Sequence, residues 1–401
     1  MGPLNGVRIV ELSVFVSGPS CGRMLSDLGA EVIKVERLSG DNWRTTAKSH
    51  LEIYSDEENP VFDVYNSGKR FAAVNLKTEE GKEIILKLIE NADVFLTNLR
   101  KGALKRLGLS YGELKKRFPS LIYAHLLGYG ENGPDAEMPA FDHTAFWGRT
   151  GFLRDMAANT GPSYTPVCPP SSMGDVATGI VLAMETIAAL YQRKETGKGQ
   201  LVKTGLYHTA IFLMATMQII TQKPYGRNYP LTRADHNPCE GWFRCRDDEY
   251  VFLAEPIGSY AKFWKGLGRE EMLTDPKFDS VWHRYENRDE LYAIMCEAFL
   301  EKTVEEWITF SKRFDIPMMR LRHFSDISED EQAWANSYLE RILYKTGRTH
   351  VLPASLIEME GADPEPTRPS PTPGYDNESI LSELGYSAEQ IQKMKANKVI
   401  L

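Results

Sequence analysis

The 401-residue chain has little of what metal and disulfide sites need. It holds five cysteines, Cys21, Cys168, Cys239, Cys245 and Cys296, with no CxxC pair among them, so a disulfide framework or a thiolate metal site is not expected. The eight histidines are equally scattered, without an HExxH, and no metal centre is predicted. An excess of basic residues is missing too: the net charge is −8, which argues against a general nucleic-acid binder. The longest apolar run, around Ala210 to Ile220, is about half a bilayer span. The amino-terminal MGPLNGVRIVEL has no signal-peptide layout, and Gly6 stands where a myristoylation site wants Ser or Thr. A soluble, cytoplasmic protein with no membrane or nucleic-acid partner is expected. Glycine is scarce where nucleotides would need it. The loop SVFVSGPS after the first strand has one glycine instead of GxGxxG, and GxxxxGK[ST] is absent, which removes most support for hydride transfer or NTP hydrolysis.

Apolar content of 42% and charged content of 25% are those of an ordinary globular protein. The length suits about two or three domains, or one discontinuous domain. Strand and helix alternate in the first half. Val7–Leu12 reads as a strand, Ser20–Asp27 as a helix and Glu31–Glu36 as a second strand, a βαβ unit with parallel pairing. Thr78 is placed to cap a helix whose Ile84, Ile85, Leu88 and Ile89 share one face. Asp93–Thr97 reads as a strand, followed by helices near Ala103–Leu107 and Tyr111–Arg117. Strands at Leu121–Leu126 and Gln200–Thr204, and a Met-rich helix at His208–Gln222, continue the pattern. The fold class is α/β: an open, doubly wound parallel sheet. A linker-like stretch, QKPYGRNYPLTRADHNPCEG, leads to a hairpin between Gly241 and Ala254 and helices at Ser259–Leu267 and Arg288–Leu300. The predicted division is a large domain of 1–225, completed by 335–401, and a small α+β domain of 226–334. The tail PSPTPGYDNES packs poorly by itself and is expected to lie across another surface.

Two features carry candidate chemistry. Asp175 follows Gly174 at the start of a helix apolar on nearly every side, which is expected to be buried. It reads either as an N-cap or as a carboxylate kept ionised by the helix dipole and used as a nucleophile. Asn98–Arg106, just past a strand's carboxyl end, carries several cations. With Arg37 and Lys77 it reads either as a solvated basic edge or as an anion site where open α/β sheets bind ligands.

Together the segments 4–36, 66–109, 121–146 and 173–200, with EDEQAWANSYL (329–339) and LSELGYSAEQI (381–391), resemble in order the blocks of class III CoA-transferases, the formyl-CoA and carnitine CoA-transferase family. Length and DEQAWANSYL look most like the branch acting on (R)-2-hydroxy acids such as phenyllactate and 2-hydroxyisocaproate, enzymes of amino-acid fermentation. That branch carries histidine after the catalytic aspartate, where this chain has Val176.

The resemblance implies that Asp175 is the catalytic nucleophile, forming first an aspartyl-acyl anhydride and then an aspartyl-CoA thioester, with Gly174 giving room beside it. It implies that CoA lies against Phe15, Val16 and Ser17, and that its adenosine and phosphates meet Arg37, Val74, Lys77, Asn98, Leu99 and Arg106. Acyl-CoA and carboxylic-acid substrates, no tightly bound cofactor and an interlocked homodimer follow from it as well. Asp142 sits where relatives place an acid near the nucleophile, to orient substrate or to make a structural hydrogen bond. Phe141 stands where the 2-methylacyl-CoA racemases of the superfamily have a histidine, so the second proton-transfer group that racemisation needs is missing. A racemase, a transferase for carnitine-like or aromatic acids, and a non-catalytic acyl-CoA binder are the alternatives.

Overall fold

A computed structural model describes residues 2–50, 55, 57–155, 158–159, 164–165, 169–225, 237–254, 258–362 and 364–401. Cys168, most of the linker-like stretch and residues 255–257 lie outside the described residues. The chain divides into two compact units, one of Met1–Leu153, Cys168–Tyr225 and Glu331–Leu401, the other of Arg154–Val167 and Gly226–Asp330.

The first unit is built on β1 (Arg8–Leu12), α1 (Ser17–Asp27), β2 (Glu31–Glu36), α2 (Asn42–His50), α3 (Pro60–Asn66), β3 (Arg70–Ala73), α4 (Glu79–Glu90), β4 (Val94–Thr97), α5 (Lys101–Leu107), α6 (Tyr111–Arg117) and β5 (Ile122–Leu127). A π-helical turn at Asp142–Gly148 and α7 (Phe152–Asp155) follow, and a two-residue ribbon, β6 (Ala158–Asn159) with β7 (Tyr164–Thr165), belongs to the second unit. Then come α8 (Met173–Thr196), β8 (Leu201–Gly205), α9 (Leu206–Leu213) and α10 (Ala215–Ile220). The Met-rich segment is therefore two helices rather than one, broken at Met214.

Six strands form one all-parallel sheet in the order β3-β2-β1-β4-β5-β8. The order reverses between β1 and β4, where Ile9 pairs with Val32 on one side and Val94 on the other. Beyond the carboxyl ends of these strands a doubly wound sheet opens its crevice. Apolar layers cover both faces: one includes Val10, Ile33, Phe95 and Ile85 from the capped, amphipathic α4, the other Ile9, Val32, Leu96 and Leu182. Thr78 Oγ1 accepts the Gly81 N–H at 3.1 Å and starts α4 as its sequence position predicts.

Helix α8 is 24 residues long and apolar enough to cross a bilayer, longer than the run around Ala210. It packs instead on α1, β5, β8 and α9. Its buried face is made largely of small residues, Gly174, Thr178, Gly179, Ala183 and Ala189. A Cβ on Gly179 would lie 2.1 Å from Ser20 Oγ, so only glycine lets α1 and α8 approach this closely. The other face is not buried as expected: Ile180, Met184 and Tyr191 are exposed.

The returning tail adds α15 (Glu331–Ala335), a hairpin of β12 (Leu339–Leu343) and β13 (Thr349–Pro353), α16 (Asn377–Glu383) and α17 (Ala388–Ala396). It lies across the sheet unit, as its composition suggests. Asp376 accepts the Phe71 N–H at 2.8 Å, Asn377 accepts the Ala73 N–H at 3.0 Å, and Val74 bridges Ile400. These contacts close the edge strand β3, which would otherwise present unpaired amides.

The second unit has an antiparallel sheet of β9 (Gly241–Arg244), β10 (Tyr250–Leu253) and β11 (Met318–Arg320) with α11 (Ser259–Leu267), α12 (Val281–Glu286), α13 (Arg288–Phe299) and α14 (Val304–Phe314). Its core is an aromatic stack in which Phe243 lies on Phe299 at 4.4 Å and Phe263 on Trp307 at 5.7 Å.

Candidate active site

At the switch point a groove is lined by Val14, Phe15 and Ser17 from the loop after β1 and the start of α1. Asn98, Leu99, Arg100 and Lys101 line it from beyond β4, and Phe141 and Asp175 line it as well. Its volume, about 230 Å³, suits the thioester end of a carrier rather than a whole nucleotide.

The loop after β1 rests on charges that are nowhere exposed. Glu11 and Lys34 are cross-strand partners in β1 and β2, and their side chains meet at 3.0 Å. Lys69 completes the second Glu11 oxygen at 2.8 Å, and Asp41 takes the other side of Lys34 at 3.0 Å. Burial alone would raise the Glu11 pKa, but Lys34 and Lys69 bring it down to about 2. Asp41 Oδ1 then accepts the Phe15 N–H at 3.0 Å. This holds Phe15 at φ +62°, a left-handed conformation that is costly for a bulky residue. Asn98 braces the loop from the other side: its Oδ1 accepts the Val14 N–H at 3.0 Å and its Nδ2 donates to Val14 O at 2.7 Å. Glu36, the acid at the end of β2, is clamped by Arg44 and is not free for a ribose.

Asp175 is not the N-cap. That position is Ser172, at φ +73° and capping no amide with its side chain, and Asp175 is the third residue of α8. Capping comes from a distant residue: Asp142 Oδ1 accepts the Asp175 N–H at 2.9 Å while its Oδ2 accepts the Trp147 Nε1–H at 2.9 Å. Asp142 is thus buried and fully engaged in positioning. Gly174 is required beneath it, since a Cβ there would lie 2.3 Å from Phe146 Cγ and 2.5 Å from Asp142 Oδ1. The Asp175 carboxyl faces the groove and is not held ionised as the helix position suggests. Burial first, then the charge of Asp142, push its pKa up to about 7, against the Ser17 hydroxyl, whose hydrogen bond favours the charged form.

Of the residues implied for CoA, Phe15, Ser17, Asn98 and Leu99 line the groove. Arg37, Lys77 and Arg106 are exposed beyond the carboxyl ends of β2, β3 and β4 and do not line it. The side chains of Val16 and Val74 do not line it either. Val74 is core, bridged to Ile400. Val16 is buried beside Trp43, Phe62 and Phe71, with Phe15, Tyr65 and Val176 packed against them. Phe141 meets Phe15 edge-on at 5.2 Å. Sequence reasoning missed Trp43, Tyr65, Ser172 and the Glu11–Lys34–Asp41 network, because Trp43 and Tyr65 join Val176 in one cluster only through the tertiary fold, with no local signal.

The CoA-transferase family III model matches residues 4–377. The chain belongs to CoA-transferase family III. It is 38% identical over 403 residues to the (R)-2-hydroxy-4-methylpentanoate CoA-transferase of Clostridioides difficile, covering 99% of both chains. It is 35% identical to the cinnamoyl-CoA:phenyllactate CoA-transferase of Clostridium sporogenes, covering 99% of this chain and 97% of that one. Among solved structures it matches a CaiB/BaiF family protein from Brucella suis with a TM-score of 0.80 at 28% identity, over 96% of this chain and 99% of the other. The enzyme is therefore a CoA-transferase that uses CoA thioesters as substrates.

Proposed function

We propose that this enzyme moves CoA from an acyl-CoA to a free 2-hydroxy acid, with Asp175 as nucleophile. The observation that carries the proposal is the placement of the Asp175 carboxyl in the switch-point groove, in reach of the Ser17 hydroxyl and short of full ionisation near pH 7. A carboxylate with a raised pKa is a better nucleophile than an ordinary one once ionised. The relatives that act on 2-hydroxy-4-methylpentanoate and phenyllactate and the apolar cluster of Val16, Trp43, Phe62 and Val176 beside Asp175 support an acid with an apolar side chain. Val176 packs against this cluster.

The Asp175 carboxylate attacks the donor thioester carbonyl, forming an aspartyl-acyl anhydride and releasing the CoA thiolate. The thiolate attacks the aspartyl carbonyl, leaving an aspartyl-CoA thioester and freeing the donor acid. The acceptor carboxylate attacks that thioester, giving a new anhydride and thiolate. Attack of the thiolate on the acceptor's acyl carbonyl then yields the new acyl-CoA and restores Asp175. The groove supports the pantetheine end in the sheet unit, and Arg37, Lys77 and Arg106 supply charge for the phosphates. A racemase is disfavoured, since Phe141 cannot transfer protons and His143 is exposed outside the groove lining. The exposed apolar residues of α8, α9 and α10, including Met184, Tyr191 and Phe212, support burial against a second copy in a homodimer.

The test is chemical trapping. Incubation with acyl-CoA followed by borohydride or hydroxylamine should abolish activity and mark Asp175. An Asp175→Ala enzyme that retains full activity refutes the proposal.

A further inference from the structure

We infer that Trp147 is a positioning residue for CoA transfer: a π-helical turn carries its indole N–H onto Asp142 and so fixes the carboxylate that holds the amide of Asp175. The inference rests on the function proposed above, in which Asp175 is the nucleophile. That amide is one of the first four in α8, which have no partner inside their helix. Ser172, the N-cap residue, satisfies none of them with its side chain. Asp142 Oδ1 takes the Asp175 N–H at 2.9 Å instead, from 33 residues away in the chain.

What holds Asp142 is the turn it begins. Over Asp142–Gly148 the winding is π-helical, and the Arg149 N–H reaches back five residues to Thr144 O at 3.1 Å. Five residues also separate Asp142 from Trp147. An α-helix, at about 3.6 residues per turn, would set positions five apart on different faces. The wider π winding brings them together, and the Trp147 Nε1–H donates to Asp142 Oδ2 at 2.9 Å. Such windings are rare and short, and they are frequent at functional sites.

The indole is itself pinned. Trp147 is buried and meets Phe146 edge-on at 5.1 Å and Phe152 at 4.7 Å. With the indole N–H on Oδ2, Asp142 keeps its other oxygen for Asp175. Gly174 leaves room for that oxygen, since a Cβ there would lie 2.5 Å from Oδ1. Asp175 lines the groove, whereas neither Asp142 nor Trp147 does. Trp147 therefore acts on the nucleophile through Asp142 and not by touching a substrate in the groove. Without the N–H, a buried carboxylate oxygen lacks its donor, which is costly, and Asp142 is free to turn away from α8. The start of α8, and Asp175 with it, then loses its fixed place.

The experiment follows aspartyl-CoA formation by rapid quench in the full-length enzyme, at saturating acyl-CoA and without acceptor. Its first-order rate constant does not depend on how much of the protein is folded, so a loss of stability alone leaves it unchanged. Trp147→Phe, which keeps a ring and removes the N–H, is expected to lower the constant about tenfold. The acyl-CoA concentration at half-saturation should stay within about twofold. Asp142→Asn, which keeps the shape of the site, should lower the constant at least as much. The double variant should be slower than Asp142→Asn by no more than about twofold, because one residue acts through the other. An unchanged constant in either single variant, losses that multiply in the double variant, or a loss confined to half-saturation overturns the inference. Should Trp147→Phe fail to fold, benzothienyl-alanine at position 147 keeps the indole's shape without the N–H and takes the same test. If the unaltered enzyme forms no aspartyl-CoA, the proposed function itself is wrong and the inference falls with it.

Discussion

Glu11 and Asp175 are both carboxylates drawn out of bulk water against α1, and the protein drives them in opposite directions. Glu11 lies under Gly22 between two lysines, and its pKa falls to about 2 despite complete burial. Asp175 lies beside Ser17 with Asp142 as its nearest charge, and its pKa rises to about 7. The difference is the sign and number of the neighbours. Glu11 has a cation at each oxygen, so its charge stabilises the loop after β1. Asp175 has one hydroxyl and one like charge, so its charge is left for chemistry. A rigid, fully paired support beneath a poorly satisfied carboxylate is the arrangement expected where binding geometry must be kept and reactivity retained, which suits the nucleophile proposed for Asp175.

The largest expected effect separates the two directly. Asp175→Asn should reduce CoA transfer by more than about 10⁴-fold, as loss of a covalent nucleophile does, without loss of stability. Glu11→Gln should instead leave Lys34 and Lys69 poorly paired and cost roughly 3–5 kcal/mol, read from urea unfolding. Their pH dependences should run oppositely. Glu11 binds protons less readily folded than unfolded. Its contribution is therefore complete above its ordinary value of 4.5 and is lost as pH falls toward about 2. Asp175 binds protons more readily folded. Its ionisation therefore weakens the fold as pH rises from its ordinary 3.8 through about 7, by at most about 1.4 kcal/mol per pH unit. Unfolding curves across pH for both variants should each lose one of these slopes, and aspartyl-CoA formation by the unaltered enzyme should rise through pH 7.

Gly174→Ala sharpens the comparison from the Asp175 side. The new Cβ would displace Phe146 or Asp142, costing about 1–3 kcal/mol and slowing aspartyl-CoA formation. The smallest effect is the control: Thr78→Ala removes the α4 cap, away from both carboxylates, and should cost about 1 kcal/mol with transfer unchanged.

Much of the sheet unit is legible in the chain. Glu31–Glu36 and Tyr111–Arg117 form where their patterns place them, and the Thr78 cap is real, because each depends on neighbours within a few residues. Helix α1 begins at Ser17, earlier than its periodicity shows, since Gly18 and Pro19 hide its first turn. The apolar pattern of α8 cannot reveal which side stays exposed, because small residues on the α1 side bury as well as large ones. Asp175, Phe15 and Ser17, named from the family blocks, all come to line one groove. Asp142 as a cap and Val16 as a core residue beside Trp43, Phe62 and Phe71 were not legible, because contacts 33 positions apart and 27, 46 and 55 positions apart leave no periodicity.

The order of strands and helices, the acidic, cysteine-poor character and the glycine ahead of Asp175 are properties of the chain alone, set by local backbone preferences and side-chain chemistry. Whether Val16 faces the groove or the core, which acid caps α8 and whether Asp175 holds its proton were decided only on folding. They depend on how far water is excluded and on which charges the parallel sheet brings together, and neither quantity exists until residues remote in sequence are packed side by side.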